Sequence, residues 1–215
     1  MSAGEVRETR RLTSRGAATR ARIIAAADRL ITLQGIGATT LADVRLESAT
    51  SKSQLYQHFE DKDALVAEVV ESRGRDVLDH QRRRLSRVRT IEGLEQWGDE
   101  LVARNALTNG AFGCPLGSLT HELAEGSEQS RQALAGHFRT WVTLIEDALQ
   151  ELARRGVLRE DADTRALAHG MLAALQGGYL LAQAARDVYP MRVALDGAID
   201  RVRAARADTG ADGEA

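Results

Sequence analysis

Thr39-Thr40-Leu41-Ala42-Asp43-Val44-Arg45-Leu46-Glu47-Ser48-Ala49-Thr50-Ser51-Lys52-Ser53-Gln54-Leu55-Tyr56-Gln57-His58-Phe59-Glu60-Asp61-Lys62-Asp63 is the stretch whose reading decides the fold. Thr40 stands where a helix N-cap belongs, and Asp43, three residues on, completes the spacing of a capping box. The helix it opens is short and ends near Ala49. Ser51 caps a second short helix, whose Leu55 and Phe59, four apart, turn inward together, and Asp61 caps the helix after it. Two short helices with a tight connection have the geometry that lays one helix in a DNA major groove.

With Leu55 and Phe59 seated on a core, Lys52, Ser53, Gln54, Tyr56 and Gln57 are left facing outward. Gln54 and Gln57 carry the amide geometry that pairs with adenine, Lys52 reaches guanine or a phosphate, and Ser53 can donate to either. Thr40, Tyr56, His58 and Lys62 suit phosphate contacts, which set register without reading sequence, and helix N-termini add backbone N–H groups for the same purpose. Ser51, at the start of the reading helix, belongs with this set. The bland alternative, an αα-hairpin with a polar face, does not predict basic and amide residues gathered on a short, cap-delimited helix. Tyr56 taken alone also reads as a packing residue.

Working outward, the chain has 215 residues, 43% of them apolar, enough to bury a substantial core in one domain or two closely packed ones. Two prolines, eight aromatics and abundant Ala, Leu, Arg and Glu favour an all-α protein. A single cysteine, Cys114, excludes an intramolecular disulfide framework. Apolar runs are too short for a membrane span or a signal segment, so the expectation is a cytoplasmic protein with no membrane partner. The net charge of −2 hides an asymmetry, since residues 1–60 hold nine Lys+Arg against six Asp+Glu. Seven of those basic residues precede Leu30, which fits either an electrostatic footprint for phosphate or a solvated basic tail.

Residues 1–15 lack apolar periodicity and are expected to form a flexible basic arm. From Ala17, the residues Ile23, Ile24, Ala27, Leu30 and Ile31 share a helical face that Gly35 and Gly37 should end. The helix-turn-helix domain then occupies residues 16–65. Residues 66–207 are expected to form a second helical domain, and residues 208–215 a disordered tail. Within the second domain, Thr90, Ser127 and Asp163 are expected caps, Gly156 a terminator and Pro190 a first-turn residue. Gly110, Gly113, Pro115 and Gly117 break the pattern between Thr108 and Gly117.

Gly35, Gly37, Thr40, Leu41, Ser51, Lys52, Leu55, Tyr56, His58, Phe59 and Lys62 together resemble the DNA-binding domain of the TetR family of bacterial transcriptional regulators. That family's reading helix runs S-K-x-x-L-Y-x-H-F with a lysine shortly after, and the resemblance implies that Tyr56, His58 and Lys62 touch the DNA backbone. Two departures stand out: the family usually has glycine in the turn between helices 2 and 3 and another just after the Lys, where this chain has Ala49 and Ser53. A non-glycine residue in that turn is strained if its φ is positive. The segment Gly113-Cys114-Pro115-Leu116-Gly117-Ser118-Leu119, with Leu175-Gln176-Gly177-Gly178, is similar to a subgroup holding LmrA-like, acrylate-responsive and N-ethylmaleimide-reductase repressors. In some of these a cysteine senses electrophiles, and the resemblance makes Cys114 the candidate here.

A ligand pocket is expected to draw on Trp97, Phe112, Cys114, His121, Phe138, Trp141, Gln176 and Tyr179, which suits an apolar or electrophilic inducer, although core packing explains each aromatic singly. Cys114 is a sensor if a helix N-terminus lowers its pKa, and an inert thiol if it is simply buried. The small residues between Leu167 and Arg186 permit close helix approach and fit a two-fold interface, so a homodimer reading a palindromic operator is expected. The resulting reading is a TetR-type regulator, a repressor released by a small-molecule inducer, with no cofactor and no metal. Two rivals are a helical ligand-binding adaptor or thiol sensor with weak DNA binding, and an enzyme using Cys114 as nucleophile. The enzyme lacks any recognisable hydrolase motif, phosphate loop or metal-ligand spacing.

Overall fold

The computed structural model describes residues 13–111, 113–124 and 127–207; the arm over residues 1–12, Phe112 and the tail over residues 208–215 lie outside them. Among the described residues the protein is all-α, with no strand. The chain divides into two compact units with the boundary between Val69 and Val70, four residues beyond the expected border.

In the first unit, α1 (Ser14–Ala38), α2 (Leu41–Glu47) and α3 (Lys52–His58) pack around Ile23, Ala26, Ala27, Val44, Leu55 and Phe59. The first helix begins earlier than its apolar pattern suggests, correcting the end of the expected arm. Thr13 Oγ1 accepts from Gly16 N and caps the helix three residues before Ala17. At its far end Gly35 does interrupt the helix, with φ 82° and ψ 168°, but helical turns resume as far as Ala38. Gly37 is therefore not the stop.

Both expected caps in the reading motif form. Thr40 Oγ1 accepts from Asp43 N at 3.2 Å and Asp43 Oδ2 accepts from Thr40 N at 3.1 Å. Ser51 Oγ accepts from Gln54 N at 3.2 Å, and Gln54 Oε1 accepts from Ser51 N at 2.9 Å. Between the two helices, Ala49 takes φ 50°, so the turn keeps the left-handed geometry that glycine serves without a Cβ clash.

The fourth helix, α4 (Lys62–Leu85), starts where Asp61 Oδ1 accepts from Ala64 N at 2.8 Å. In the second unit follow α5 (Ile91–Ala106), a 3-10 turn at Gly117–Leu119, α6 (Thr120–Ala124), α7 (Glu128–Arg154), α8 (Thr164–Ala185) and α9 (Tyr189–Ala204). Thr90 and Asp163 cap through their side chains, Ser127 caps by position alone, Gly156 ends α7 at φ 71°, and Pro190 lies in the first turn of α9. The core runs through Leu94, Leu101, Leu116, Trp141, Ile145, Leu149, Leu172, Leu175, Met191 and Leu195.

Half of the small-residue pattern of α8 serves this core. A Cβ at Gly178 would come within 2.9 Å of Met191 Cα, so the glycine lets α8 and α9 close on each other within one chain. The other half faces out: Ala173, Gly177, Leu180, Leu181 and Ala184 share one face, with Leu180 67% and Leu181 56% exposed.

Candidate DNA-reading helix and effector residues

The reading helix is held from below and capped from within. Leu55 and Phe59 are buried as expected, and the Arg20 guanidinium lies 5.4 Å from the Phe59 ring centre while pairing with Glu68 at 2.6 Å. Arg29 pairs with Glu47 at 2.9 Å. Two of the early arginines thus knit the unit together rather than forming a loose basic tail.

With that seat fixed, Lys52, Ser53, Tyr56 and Gln57 are exposed. Tyr56, the residue with a packing alternative, is 50% exposed, and its ring does not belong to the core. Lys52 and Tyr56 stand one turn apart, as do Ser53 and Gln57, which gives α3 a continuous polar surface of a cation, a hydroxyl, a phenol and an amide. His58 is half-buried beside Phe59, with ring centres 6.4 Å apart.

Three other predicted residues have jobs within the fold. Gln54 gives its amide oxygen to the cap, which leaves Nε2 as the group it can present outward. Lys62 Nζ donates to the Gly37 carbonyl at 3.2 Å and ties the start of α4 to the end of α1. Thr40 also donates its hydroxyl to Asp43 at 2.6 Å, and this bond, with that from the Thr40 backbone, holds the Asp43 carboxyl below the usual aspartate range.

The predicted effector residues divide. Trp97 is buried, and its Nε1 donates to Gln81 Oε1 at 2.8 Å, an internal bond that closes its polar end. His121 is exposed on the short α6. Cys114, Gln176 and Tyr179 do come together. Gln176 lies beside the thiol with its Oε1 against Gly117, and the Tyr179 hydroxyl interacts electrostatically with Cys114.

Cys114 is 2% exposed, and burial pushes its thiol pKa up despite hydrogen bonds from the Gly117 and Leu116 amides. The favourable 3-10 N-terminus is present, and desolvation outweighs it. Burial likewise raises the Tyr179 phenol.

Residues that the sequence reading passed over complete this region. Arg73 Nη1 donates to the Pro115 carbonyl at 3.1 Å, anchoring the turn that carries Cys114. His137 lies against Gly74, where a Cβ would meet its ring at 2.3 Å. The signal for His137 was its spacing of four from Trp141 on an otherwise apolar face. Two surface clefts lie elsewhere, one between α8 and α9 against Leu167, Met171 and Ala198, the other between α5 and α9 against Asp99 and Arg192. Neither touches a predicted effector residue. Among the described residues no cluster of His, Cys, Asp and Glu could hold a metal, and no helix is long and apolar enough to cross a membrane.

Residues 23–69 match the family model of bacterial regulatory proteins of the TetR family, and residues 90–196 match that of the transcriptional regulator LmrA/YxaF-like C-terminal domain. The HTH-type transcriptional regulator LmrA of Bacillus subtilis is 27% identical over 179 residues, covering 80% of this chain and 90% of that protein. The crystal structure of regulatory protein TetR from Rhodobacter sphaeroides superposes with a TM-score of 0.75 at 18% identity, over 85% of this chain and 97% of that one. A SmeT–triclosan complex does so with a TM-score of 0.65 at 20% identity, over 90% and 93% of the two chains. The chain belongs to the TetR family of bacterial transcriptional regulators, with a helix-turn-helix DNA-binding unit and a C-terminal domain of the LmrA/YxaF-like kind.

Proposed function

We propose that the protein is a cytoplasmic homodimeric repressor that reads a palindromic operator and leaves it when a small molecule enters the second unit. The carrying observation is α3 itself: seated by Leu55 and Phe59, it exposes Lys52, Ser53, Tyr56 and Gln57 as one polar face. Gln57 and Lys52 are the base readers in this account, with Ser53 beside them. Gln54 contributes one donor rather than a paired amide contact, because its oxygen is held in the cap. Thr40, Ser51, Tyr56, His58 and Lys62 set the register on phosphates.

A dimer is supported by exposed apolar stripes on neighbouring helices: Ala173, Gly177, Leu180, Leu181 and Ala184 on α8, and Tyr189, Val193 and Gly197 on α9. No neighbouring atom lies within 4 Å of a Cβ added at Gly177 or Gly197, so both positions are open to a second chain. Two reading helices about 34–36 Å apart would engage successive major-groove faces. The effector acts by favouring one spacing of the reading heads over the other, through α4, whose residues belong to both units. That a SmeT structure holds triclosan supports a small apolar effector in this fold.

Duplex binding measured across a salt series tests the division of labour. Replacing Tyr56 by Phe or Lys62 by Ala weakens binding to every sequence, and loss of the Lys62 charge flattens the salt slope. Replacing Gln57 by Ala relaxes base choice, at a cost of about 1–3 kcal/mol on the preferred duplex. Equal, sequence-blind losses for all three variants would contradict the assignment.

A further inference from the structure

Among the described residues, four buried side-chain atoms have no hydrogen-bond partner, Ser130 Oγ, His137 Nε2, Trp141 Nε1 and Gln176 Nε2, although His137 Nε2 faces Glu71 Oε2 at 3.5 Å. A buried donor without a partner costs about 1–3 kcal/mol, so a concentration of them needs a reason. Ser130, His137 and Trp141 all belong to α7, at spacings of seven and four, which places them on one face of that helix.

Trp141 and Gln176 stand at about equal distances along α7 and α8 from the connection between them. Trp141 lies thirteen residues before Arg154, the end of α7, and Gln176 twelve after Thr164, the start of α8, which is about 20 Å and about 18 Å along the two axes. The two helices pack on each other and are joined by residues 155–163, and we take them as antiparallel neighbours. His137, one turn from Trp141, rests on Gly74 of α4, and the adjacent Arg73 bonds the Pro115 carbonyl beside Cys114. Gln176 in turn contacts Cys114 and Gly117. A chain of contacts thus links α7, α4, the turn around Cys114 and α8.

Two of the unpartnered atoms, Trp141 Nε1 and Gln176 Nε2, can only donate. An indole N–H only donates and so does an amide NH2, and the Gln176 oxygen lies against Gly117. The surroundings are otherwise apolar, with Leu116, Leu175 and Trp141 itself buried. A pair of donors offers an ammonium no acceptor, which disfavours a positively charged guest.

We infer that Trp141 Nε1 and Gln176 Nε2 form the specificity pair of the effector site, which accepts an apolar molecule bearing a hydrogen-bond-accepting oxygen, a ketone or carboxylate, and rejects cations. This rests on the reading that the second unit takes a small effector, and it assigns that effector's chemistry.

Calorimetry on the full chain without DNA tests it, using four probes on one naphthalene frame: 2-acetonaphthone, 2-naphthoate, naphthalene and 2-naphthylmethylammonium. The two oxygen-bearing probes bind, naphthalene binds about tenfold more weakly, and the ammonium does not compete. Trp141→Phe brings the ketone down to the level of naphthalene. Gln176→Glu exchanges the donor for an acceptor and reverses the ranking between naphthoate and the ammonium, a gain that a merely unfolded variant cannot show.

The inference is overturned if neither oxygen-bearing probe binds at about 1 mM, if naphthalene or the ammonium binds as tightly as the ketone, or if both variants keep the wild-type ranking. Since no DNA is present, acceptor binding by a chain that reads no operator would sink the regulator reading alone. Operator release by a ligand lacking acceptors would sink this one alone.

Discussion

Gln54 uses its amide oxygen to close the cap of the helix it stands on, so a residue whose type suggests a base reader carries a structural duty as well. Its spacing of three from Ser51 contained that information, because Ser-x-x-Gln is a capping box. The competing signal, an amide on a reading helix, is equally real. Cys114 is the opposite case: its sequence neighbours leave an activated and an inert thiol both open, while its 2% exposure depends on packing by segments distant in the chain. With its thiol pushed up by burial, Cys114 is expected to react with N-ethylmaleimide at neutral pH at least about tenfold more slowly than the same thiol in the urea-unfolded chain. Equal rates in a thiol-trapping time course would restore the sensor reading.

At the scale of elements, the helix starts were the most legible feature, because caps are local chemistry. Thr40, Ser51, Asp61, Thr90 and Asp163 all accept the bonds their positions imply. The Thr40–Asp43 box carries a pH signature. The Asp43 carboxyl is held below its ordinary value of 3.8, first by the Thr40 hydroxyl, so its contribution is complete above that value and is lost as pH falls below it. Thermal melts between about pH 3 and pH 6 should show a smaller acid loss for Asp43→Asn than for the wild type, with parallel curves as the contrary result.

Glycines in α8 were legible as close approach but not as to which partner they approach. Gly178→Ala forces Met191 away and is expected to destabilise the fold by about 1–3 kcal/mol. Gly177→Ala, open in the single chain, is expected to gain helix propensity of up to about 1 kcal/mol while weakening self-association. Denaturant melts and sedimentation at several concentrations separate the two effects, and matching losses at both sites would contradict the division of faces.

For the whole molecule, fold class and the DNA-binding head were readable because the head is short, local and capped at each joint. The proposed effector site was less so, since its residues come from α4, the turn around Cys114, α7 and α8, and only folding shows that Trp97 is satisfied by Gln81 while Trp141 is not. The two units nevertheless depend on one another in the proposed mechanism. One reading helix of seven residues offers few contacts, and the exposed stripe around Gly177 and Leu181 provides the surface that pairs it with a second.

Selection of bound duplexes from a random pool by the full chain at physiological salt tests the account most directly. The predicted result is enrichment of an inverted repeat whose half-site centres lie about one or two helical turns apart, lost when Leu181→Arg disrupts the pairing face. Bound pools with no preference over random duplex, or a single half-site enriched equally by the wild type and Leu181→Arg, would contradict it.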